Sequence, residues 1–511
     1  MQLETTGVSL TSVTLFAPMV GFFILLFLNK LSDERIKWGA LITSLITLGF
    51  SILLLAQFKS DETGLQSEHI AEWIPTFGIY YHVGIDGISI WLVMLTTFIM
   101  PLSILISFNM IHERIRLYYL FMLLIEFAML GVFVAQDMFL FYVFWELTLV
   151  PMYFLVGIWG GEERRYAAVK FFLYTMAGSI LMLLAILWLG NEAGTFDVKV
   201  ITEMVQSGAL SFGTDTERLL FLGFFIAFAI KVPLWPLHSW LPDAHVQAPT
   251  AGSIILAGIL LKLGTYGLIR FNLGFFPNAA ADFAPWIAAL AVIGIIYGAW
   301  VAYAQTDVKK LVAYTSVSHL GFVVLGIFSL TSSGVQGAVL QMVNHGISTG
   351  GLFALVGILY DRRHTKAINA FGGIWKVMPV FSGIALVISL SSMGLPSLNG
   401  FVGEFTILLG SASSDVLSIW FTAVATLGVI LAAVYTLFMF NKVFMGPLDK
   451  KENQELEDLT WSKNWTELGA LVPLVIMIFV IGLYPSPFFE LMDGSVGHLV
   501  NFVHTVAVAG K

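Results

Sequence analysis

The run FFIAFAIKVPLWPLH, residues 224–238, decides the fold of this chain because a lysine and two prolines interrupt an apolar segment. Proline inside a helix removes a backbone donor and clashes with the carbonyl four residues earlier, so Pro233 and Pro236 predict a broken helix. Pro233 and Pro236 would free the carbonyls of Ala229 and Val232, and such carbonyls are tolerated at membrane depth only where protein or water satisfies them. We expect the Lys231 ammonium to be the partner of the freed carbonyls.

The same pattern returns in SSMGLPSLNGFVGE, residues 391–404, where Gly394, Pro396 and Gly400 interrupt a long apolar run just before Glu404. Paired interrupted helices in two parts of a chain are typical of transporters that have inverted repeats and binding sites near the midplane. The two interruptions lie five predicted spans apart, in spans 7 and 12. Two five-helix units, spans 4–8 and 9–13, would place each interruption at the same position, and the odd number of spans per unit makes the units inverted.

The composition is that of a polytopic membrane protein. Of the 511 residues, 58% are hydrophobic and 11% are charged, against about 25% charged residues in soluble globular proteins. A helix of about 20 apolar residues spans a bilayer, and the apolar segments predict an all-α fold with about fourteen transmembrane helices. Their approximate limits are 7–29, 37–57, 86–109, 116–134, 136–158, 169–190, 219–241, 248–271, 284–304, 309–330, 333–360, 377–411, 414–441 and 466–485, with a short interfacial helix over 488–507.

The predicted spans give the domain organisation and the orientation. We expect helices 1–3 in residues 1–110, the first five-helix repeat in 111–272, the second in 282–442, and a cytoplasmic loop, helix 14 and a short tail in 443–511. Of the 25 lysines and arginines, 18 fall in connections after odd-numbered spans and 4 in connections after even-numbered spans. The positive-inside rule therefore predicts odd connections in the cytoplasm and both termini outside.

Several classes of function are excluded. The chain has no cysteine, which excludes disulfides and cysteine-ligated iron–sulfur clusters within it. No dinucleotide fingerprint or Walker motif is present, and a net charge of −8 without a basic tract gives no indication of nucleic-acid binding. We expect no metal or cofactor site in this chain, so any redox chemistry must belong to partner proteins.

Four ionisable side chains lie inside predicted spans: Glu146, Lys231, Lys262 and Glu404. A charge at the centre of a bilayer costs at least about 2.5–3.5 kcal/mol, and such residues usually mark paths for ions or protons. Each also has a structural alternative: a hydrogen-bonded neutral carboxyl at Glu146, a plug of the broken helix at Lys231, a packing role at Lys262 or a helix cap at Glu404. The proton-path interpretation is favoured for all four.

The histidines are harder to interpret. His319 and His345 lie among serines and a threonine in predicted spans 10 and 11. Each is explained about equally well as a hydrogen-bonded core histidine or as a proton carrier, because histidine titrates near neutral pH. The spacing of His238 and His245 does not resemble a metal site and favours a role at the cytoplasmic end of span 7, and Glu126 in span 4 is ambiguous.

Three motifs resemble a known family. FWELTLVPMY (144–153), AIKVPLWPLHSWLPDAHVQAPT (229–250) and YTSVSHLG (314–321) are similar to sequences of the antiporter-like membrane subunits of respiratory complex I, which are related to the large subunits of multi-subunit sodium/proton antiporters. The resemblance covers nearly the whole chain. Glu404 distinguishes this chain from the L-type and N-type members of the family, which carry lysine at that position.

The resemblance implies a fourteen-helix fold with the inverted repeats described above, and proton translocation driven by quinone reduction in partner subunits. The roles it implies are a Glu146–Lys231 pair, a central proton carrier at Lys262, a continuation of the central axis at His319 and His345, and the end of the second half-channel at Glu404. It also implies FMN, iron–sulfur clusters and quinone in partner subunits, L-type and N-type neighbours, and a bacterial inner membrane with both termini on the periplasmic side. The alternatives are a subunit of an Mrp-type cation/proton antiporter, a subunit of a membrane-bound hydrogenase, or a purely structural scaffold.

Overall fold

A computed structural model describes residues 6–28 and 30–508 as an assembly of long helices with one β-hairpin. The helices, in chain order, are α1 (Leu10–Phe27), α2 (Asp33–Gln57), α3 (Ser89–Ile106), α4 (Ile115–Val134), α5 (Met138–Trp159), α6 (Arg164–Ala193), α7 (Val198–Gln206), α8 (Thr214–Lys231), α9 (Trp240–Gln247), α10 (Thr250–Ile255), α11 (Leu261–Gly267), α12 (Pro277–Tyr303), α13 (Val308–Phe328), α14 (Ser332–Arg363), α15 (Pro379–Ser392), α16 (Asn399–Ala412), α17 (Ile419–Phe444), α18 (Lys451–Gln454), α19 (Trp461–Leu483) and α20 (Ser486–Val503).

Within the described residues, twelve helices are long and apolar enough to cross a membrane. One of them, Thr250–Leu273, is a continuous span in which α10 and α11 alternate with two π-helical segments. Predicted spans 7 and 12 are not among the twelve, and each is divided in two, into α8 and α9 and into α15 and α16. α8 carries four charged residues, and α15 and α16 have only 14 residues each. The prediction of an all-α polytopic membrane protein is confirmed.

At the first interruption, hydrogen bonds within the break satisfy the carbonyls of Ala229 and Ile230. α8 ends at Lys231 and α9 begins at Trp240. The expectation that Lys231 is the partner of the freed carbonyls is wrong, because Nζ of Lys231 has no hydrogen-bond partner among the described residues. The amide of Leu234 instead donates to the Ala229 carbonyl at 2.8 Å. The indole Nε1 of Trp240 donates to the Ile230 carbonyl at 2.9 Å. The break thus uses a tight turn and an indole, and the lysine is left for other interactions.

The second interruption depends on two glycines. α15 ends at Ser392 and α16 begins at Asn399. Gly394 has φ +79°, in the left-handed region where glycine carries no Cβ penalty. A Cβ on Gly400 would lie 2.1 Å from the Ser391 carbonyl oxygen. The two half-helices can therefore approach this closely only with glycine at both positions.

Three spans form the buried centre of the molecule: Thr250–Leu273, α13 and α14. α14 packs against α13 and α16, and Thr250–Leu273 packs against α14 and α8. These spans carry Lys262, His345 and His319. The fold therefore encloses ionisable residues that the sequence marks as candidates.

The neighbour relations of the helices agree with two related units. In residues 111–272, α5 packs against α4 and α6, and α6 packs against both halves of the broken helix, α8 and α9. In residues 282–442, α13 packs against α12 and α14, and α14 packs against both halves of its broken helix, α15 and α16. The inverted repeat and its boundaries stay a prediction, which this packing supports.

A β-hairpin lies between α2 and α3, where hydropathy alone predicts only a connection. β1 (Gln66–Ile74) and β2 (Ile79–Ile85) pair antiparallel, and Gly78 closes the turn with φ +66°. Residues 63–65 before β1 and Asp86 after β2 border one cavity together with α7, α20 and Gly274, which follows Thr250–Leu273, so these elements lie at the same face of the molecule. We call this face the hairpin side. The β-branched and aromatic residues around Gly78 are a strand signal that the sequence carries.

His82 joins the hairpin to α7. Its Nδ1 lies 2.5 Å from Oδ2 of Asp197, the N-cap residue of α7, and its Nε2 lies 3.0 Å from Oε2 of Glu68 on β1. Burial of the ring acts to lower its pKa, but the hydrogen bonds with Asp197 and Glu68 outweigh burial and raise the pKa of His82 to about 9. The imidazolium form donates to both carboxylates and links three elements of the hairpin side.

Candidate functional site

Lys262 is fully buried in the middle of Thr250–Leu273. Its Nζ donates to the carbonyl of Ala257 and lies 2.7 Å from Nδ1 of His345. An ammonium can only donate, so Nδ1 of His345 is the acceptor when Lys262 is charged, and the neutral ring then carries its proton on Nε2. A proton on Lys262 therefore has a direct hydrogen-bonded neighbour to move to.

The helix around Lys262 departs from regular α-geometry. A π-helical segment, Leu256–Leu260, precedes it and a second, Leu268–Leu273, follows. Single π-turns inside α-helices are frequent at functional sites. The first segment brings the Ala257 carbonyl, five residues before Lys262, within reach of the ammonium.

His319 connects the second broken helix to the centre. Its Nδ1 lies 2.7 Å from Oε1 of Glu404, which also accepts a hydrogen bond from Nε2 of Gln341 at 3.0 Å. Glu404 is 3% exposed and lies in the second turn of α16. The rings of His319 and His345 are 5.9 Å apart between centroids. Lys262, His345, His319 and Glu404 thus form one continuous series.

Tyr435 completes the surroundings of His319. Its hydroxyl lies 3.0 Å from Nε2 of His319, and its ring is 1% exposed on α17. With Glu404 on Nδ1 and Tyr435 on Nε2, both ring nitrogens of His319 have partners. When Glu404 is ionised, Nδ1 of a neutral ring must carry the proton and Nε2 accepts from the Tyr435 hydroxyl.

A cavity of about 10 Å³ lies between His345 and the Glu404 network. This volume accommodates about one water molecule. Several of the atoms that line it are buried and lack a hydrogen-bond partner among the described residues, namely His345 Nε2, Asn344 Oδ1, Thr349 Oγ1 and Ser392 Oγ. The cavity is therefore polar enough to bridge His345 to the second broken helix through a water.

Lys231 forms a separate centre at the first broken helix. It is fully buried, and its Nζ lies 5.5 Å from the centroid of the Trp145 ring and 5.4 Å from that of Phe171. In the described chain it has neither a hydrogen-bond partner nor an ion pair with Glu146. Glu146 is nevertheless the charged group that acts on Lys231 electrostatically. The two residues are neighbours without direct contact.

Glu146 lies on an open face of α5. Val143, Val150 and Phe154, which are spaced to share a helix face with it, are 37%, 43% and 38% exposed. Oε1 of Glu146 itself is buried and has no partner within the described residues. This face is the part of the candidate site that reaches the outside of the chain.

His245, for which the sequence favours a role at the cytoplasmic end of span 7, lies in the same buried interior as Lys262. It is fully buried, its ring stacks on Phe353 at 4.3 Å, and neither ring nitrogen has a partner among the described residues. The charges of Lys262 and Lys309 both act on it. Its place in the motif 229–250 is the sequence signal that could have selected it.

Gln341 and Tyr435 are further residues of the site that the sequence prediction did not select. An amide or a phenol on an apolar helix is uncharged, so its sequence position alone does not mark it as functional. Only the contacts with Glu404 and His319 in the folded chain reveal Gln341 and Tyr435.

Glu126 on α4 is fully buried and accepts a hydrogen bond from the Ser44 hydroxyl at 3.0 Å. It lies outside the hydrogen-bonded series around Lys262.

The described residues contain no group of histidine and carboxylate side chains that could hold a metal ion. The chemistry available to the buried network is proton transfer between lysine, imidazole and carboxyl groups.

Interrupted helices and buried ionisable residues of this kind define an antiporter-like membrane subunit. Residues 135–431, more than half of the chain, match the family described as NADH:quinone oxidoreductase/Mrp antiporter. NADH-quinone oxidoreductase subunit M of Rhodobacter capsulatus is 43% identical over 507 residues, covering 97% of each chain. The Escherichia coli K12 protein of that name is 42% identical, covering 96% of this chain and 97% of its own.

Solved structures agree with these relatives. A chain of respiratory complex I from Thermus thermophilus superposes with a TM-score of 0.86 at 31% identity, covering 96% of this chain and 99% of its own. A chain of an archaeal membrane-bound sulfane sulfur reductase shares the fold, with a TM-score of 0.81 at 24% identity and coverages of 93% and 76%. The chain belongs to the NADH:quinone oxidoreductase/Mrp antiporter family and, within it, to the M-type subunits of NADH-quinone oxidoreductase.

Proposed function

We propose that this chain carries protons across a bacterial inner membrane as a subunit of NADH:quinone oxidoreductase. The observation that supports the proposal most directly is the continuous series of Lys262, His345, His319 and Glu404 at the buried centre. All four side chains can exchange protons, and intramembrane residues of this type mark proton relays. The chain itself holds no redox centre; FMN, iron–sulfur clusters and quinone belong to partner subunits.

The orientation follows from the charges of the connections. The hairpin side is proposed to face the periplasm with both termini, and the opposite side, which carries most lysines and arginines, to face the cytoplasm. Glu146, Lys231 and Lys262 belong to the proposed first unit, and Lys262 contacts His345 of the proposed second unit.

The open face of α5 indicates where a neighbouring subunit binds. A carboxyl group facing lipid would be costly, so the face that carries Glu146 is expected to be covered by a neighbouring subunit. We assign this contact to an antiporter-like subunit of the L or N type. Glu146 would then couple the Lys231 centre to the neighbouring chain.

The work of moving a proton against the membrane potential determines how many proton-carrying residues must act together. Two opposite charges about 6 Å apart in a medium of dielectric about 20 interact by about 2.8 kcal/mol. Moving one charge against a membrane potential of about 200 mV costs about 4.6 kcal/mol. A single pair such as Glu146–Lys231 falls short, so the proposal needs coupled steps through Lys231, Lys262 and Glu404, with quinone reduction in the partners as the driving reaction.

The decisive test is Lys262→Ala in inverted membrane vesicles that contain the complex. NADH-driven quinone reduction and vesicle acidification are recorded together, and assembly is checked on a native gel. We expect acidification per NADH to fall strongly in an assembled complex, because the residue that joins His345 to the first unit is gone. Lys463→Ala is the matched control, since Lys463 is exposed and pairs only with Glu457.

Normal acidification per NADH in assembled Lys262→Ala would refute the proposed path and favour the scaffold alternative. A subunit of an Mrp-type antiporter or of a membrane-bound hydrogenase is separated by a different observation. Those proteins would not co-purify with NADH-oxidising peripheral subunits, whereas this chain is expected to do so.

A further inference from the structure

An ion pair closes the hairpin end of the span that carries Lys262. Nη2 of Arg270 donates to Oδ2 of Asp86 at 2.7 Å, and Nε of Arg270 donates to the hydroxyl of Tyr266 at 3.2 Å. The side chains of Arg270 and Asp86 are 17% and 8% exposed. The pair is therefore mostly withdrawn from solvent but touches it at one edge.

Both partners of the pair are anchored to neighbouring helices. The other oxygen of Asp86, Oδ1, accepts from the amides of Ile88 and Ser89 at 3.1 and 2.9 Å, where α3 begins. The Tyr266 hydroxyl donates to the carbonyl of Phe133 near the end of α4, at 3.1 Å. Arg270 is thus held at a fixed place between α3 and α4 rather than at a mobile surface.

A cavity of about 290 Å³ leads from the hairpin side to this pair. Its wall includes Gln136, Lys199, Thr202 and His498, and Asp86 and Arg270 both border it. Water that enters from the hairpin side therefore reaches the guanidinium.

Lys262 lies directly behind the pair. Positions 262, 266 and 270 are spaced by four residues, and residues at this spacing lie on the same side of a helix. The Lys262 side chain points back toward Ala257, which is the direction away from Arg270. Tyr266, four residues from each of Lys262 and Arg270, is buried and contacts Arg270, and Leu263 beside Lys262 is fully buried.

We propose that Arg270, held by Asp86 and Tyr266, seals the hairpin end of this span so that protons on Lys262 cannot pass directly to the cavity. A guanidinium stays protonated at any pH a protein meets, so it cannot relay a proton. Fixed positive charge in a narrow passage also raises the barrier for protons, as arginine does in water channels. The seal rests on the proposed function, because only a proton-carrying Lys262 would need it.

The test measures proton leak without turnover. Vesicles that contain the complex receive a pH step in the absence of NADH, and the decay of the gradient is followed with an internal pH-sensitive dye. Arg270→Gln is expected to speed the decay several-fold, whereas Arg270→Lys is expected to give an intermediate rate, because a lysine keeps the positive charge but can exchange its proton. Arg218→Gln is the matched control, because it removes another arginine–aspartate pair, Arg218–Asp282, that does not border this cavity.

An unchanged decay in assembled Arg270→Gln, or an equal increase in Arg218→Gln, would overturn the seal. Because the chain has no cysteine, a second measurement needs no change at Arg270. Thr202→Cys on the cavity wall is expected to react with a membrane-impermeant thiol reagent from one side, and Leu263→Cys to stay unreactive from that side. Labelling of Leu263→Cys from the side that labels Thr202→Cys, or no labelling of Thr202→Cys at all, would contradict the seal.

These outcomes are separable from the proposed function. A passive leak is measured with no NADH, so it reports the seal alone. Loss of acidification in Lys262→Ala with tight vesicles supports the proton path, whereas the seal itself is tested by the Arg270 variants and by the cysteine labelling.

Discussion

His319 is the residue whose chemistry is most closely determined by its surroundings. It contacts a carboxyl group through Nδ1 and a phenol through Nε2, at 2.7 and 3.0 Å. Because the phenol can donate or accept, it can hydrogen-bond to Nε2 of His319 whether or not that nitrogen carries a proton. Tyr435 is in this sense a positioning residue, which holds the orientation of the His319 ring without carrying charge itself, whereas the ionised Glu404 carboxylate sets the tautomer.

Removing the hydroxyl of Tyr435 tests this role. In Tyr435→Phe, Nε2 of His319 loses its partner in the buried network, at a cost of about 1–3 kcal/mol for an unsatisfied buried group. We expect slower proton pumping at unchanged assembly, with the pH at which pumping is half-maximal displaced relative to wild type. The measurement is the pH profile of acidification per NADH, and Tyr303→Phe, on a partly exposed ring of α12, is the control. An unshifted profile in Tyr435→Phe would show that His319 is positioned by Glu404 alone.

The residues that sequence could and could not reveal differ in one physical respect. Lys231, Lys262 and Glu404 are ionisable residues in apolar segments. Because the free energy of placing such a residue in a membrane is high, the sequence alone identifies them as functional candidates. Tyr435 and Gln341 cost little at their positions, and their importance arises only from the contact that folding creates. The predicted pairing of Lys231 with freed carbonyls failed for a related reason, because folding brings the Leu234 amide to the Ala229 carbonyl and the lysine is not needed there.

The hairpin is the element that most clearly extends the fold beyond what the sequence predicts. It is short and lies outside the apolar spans, so a prediction based on hydropathy passes over it. The broken helices, in contrast, are predicted correctly because proline and glycine act locally, and their effect does not depend on distant packing. Elements determined by local chemistry are thus the ones that a single sequence reveals.

The link between the hairpin and α7 should weaken at alkaline pH. His82 has a pKa of about 9 in the folded chain against an ordinary value of 6.5. A raised folded pKa means that its contribution is fully present below pH about 6.5 and is lost as the pH rises through about 9, with a limit of about 3 kcal/mol. Hydrogen-exchange protection factors of the hairpin amides should therefore fall between pH 7 and 10 in wild type.

The variant His82→Gln isolates this contribution. Its hairpin amides should be less protected than wild type at pH 7, and the difference should vanish near pH 10. His69→Gln is the control, because His69 on β1 contacts the Ser12 hydroxyl and not a carboxylate. A difference between wild type and His82→Gln that persists unchanged at pH 10 would mean that packing, and not the imidazolium charge, joins the hairpin to α7.

At the scale of the whole molecule, the ionisable residues fall into two groups that do not touch. Lys262–His345 and His319–Glu404 are two hydrogen-bonded pairs whose histidine rings lie 5.9 Å apart, and together they form one series. Lys231 and Glu146 lie at the first broken helix without a hydrogen bond to that series. Each group adjoins one of the two broken helices. Proton transfer along the first series needs only neighbouring side chains and about one water, whereas coupling between the groups must pass through α8 and its packing on Thr250–Leu273.

This division predicts how the effects of substitutions combine. Residues in direct contact are coupled, and distant residues with no shared partner give additive free energies. His319→Asn and Glu404→Gln break the same hydrogen bond, so the double variant should pump protons no more slowly than the worse single variant. His319→Asn and Glu146→Gln act on different groups, so their effects on the pumping rate should multiply. The measurement is initial acidification at equal NADH oxidation in assembled complexes, for both double variants and all three single variants. Multiplying effects for His319 with Glu404 would mean that the 2.7 Å contact is not part of the transfer path, and non-additivity for His319 with Glu146 would mean that the two groups work as one unit.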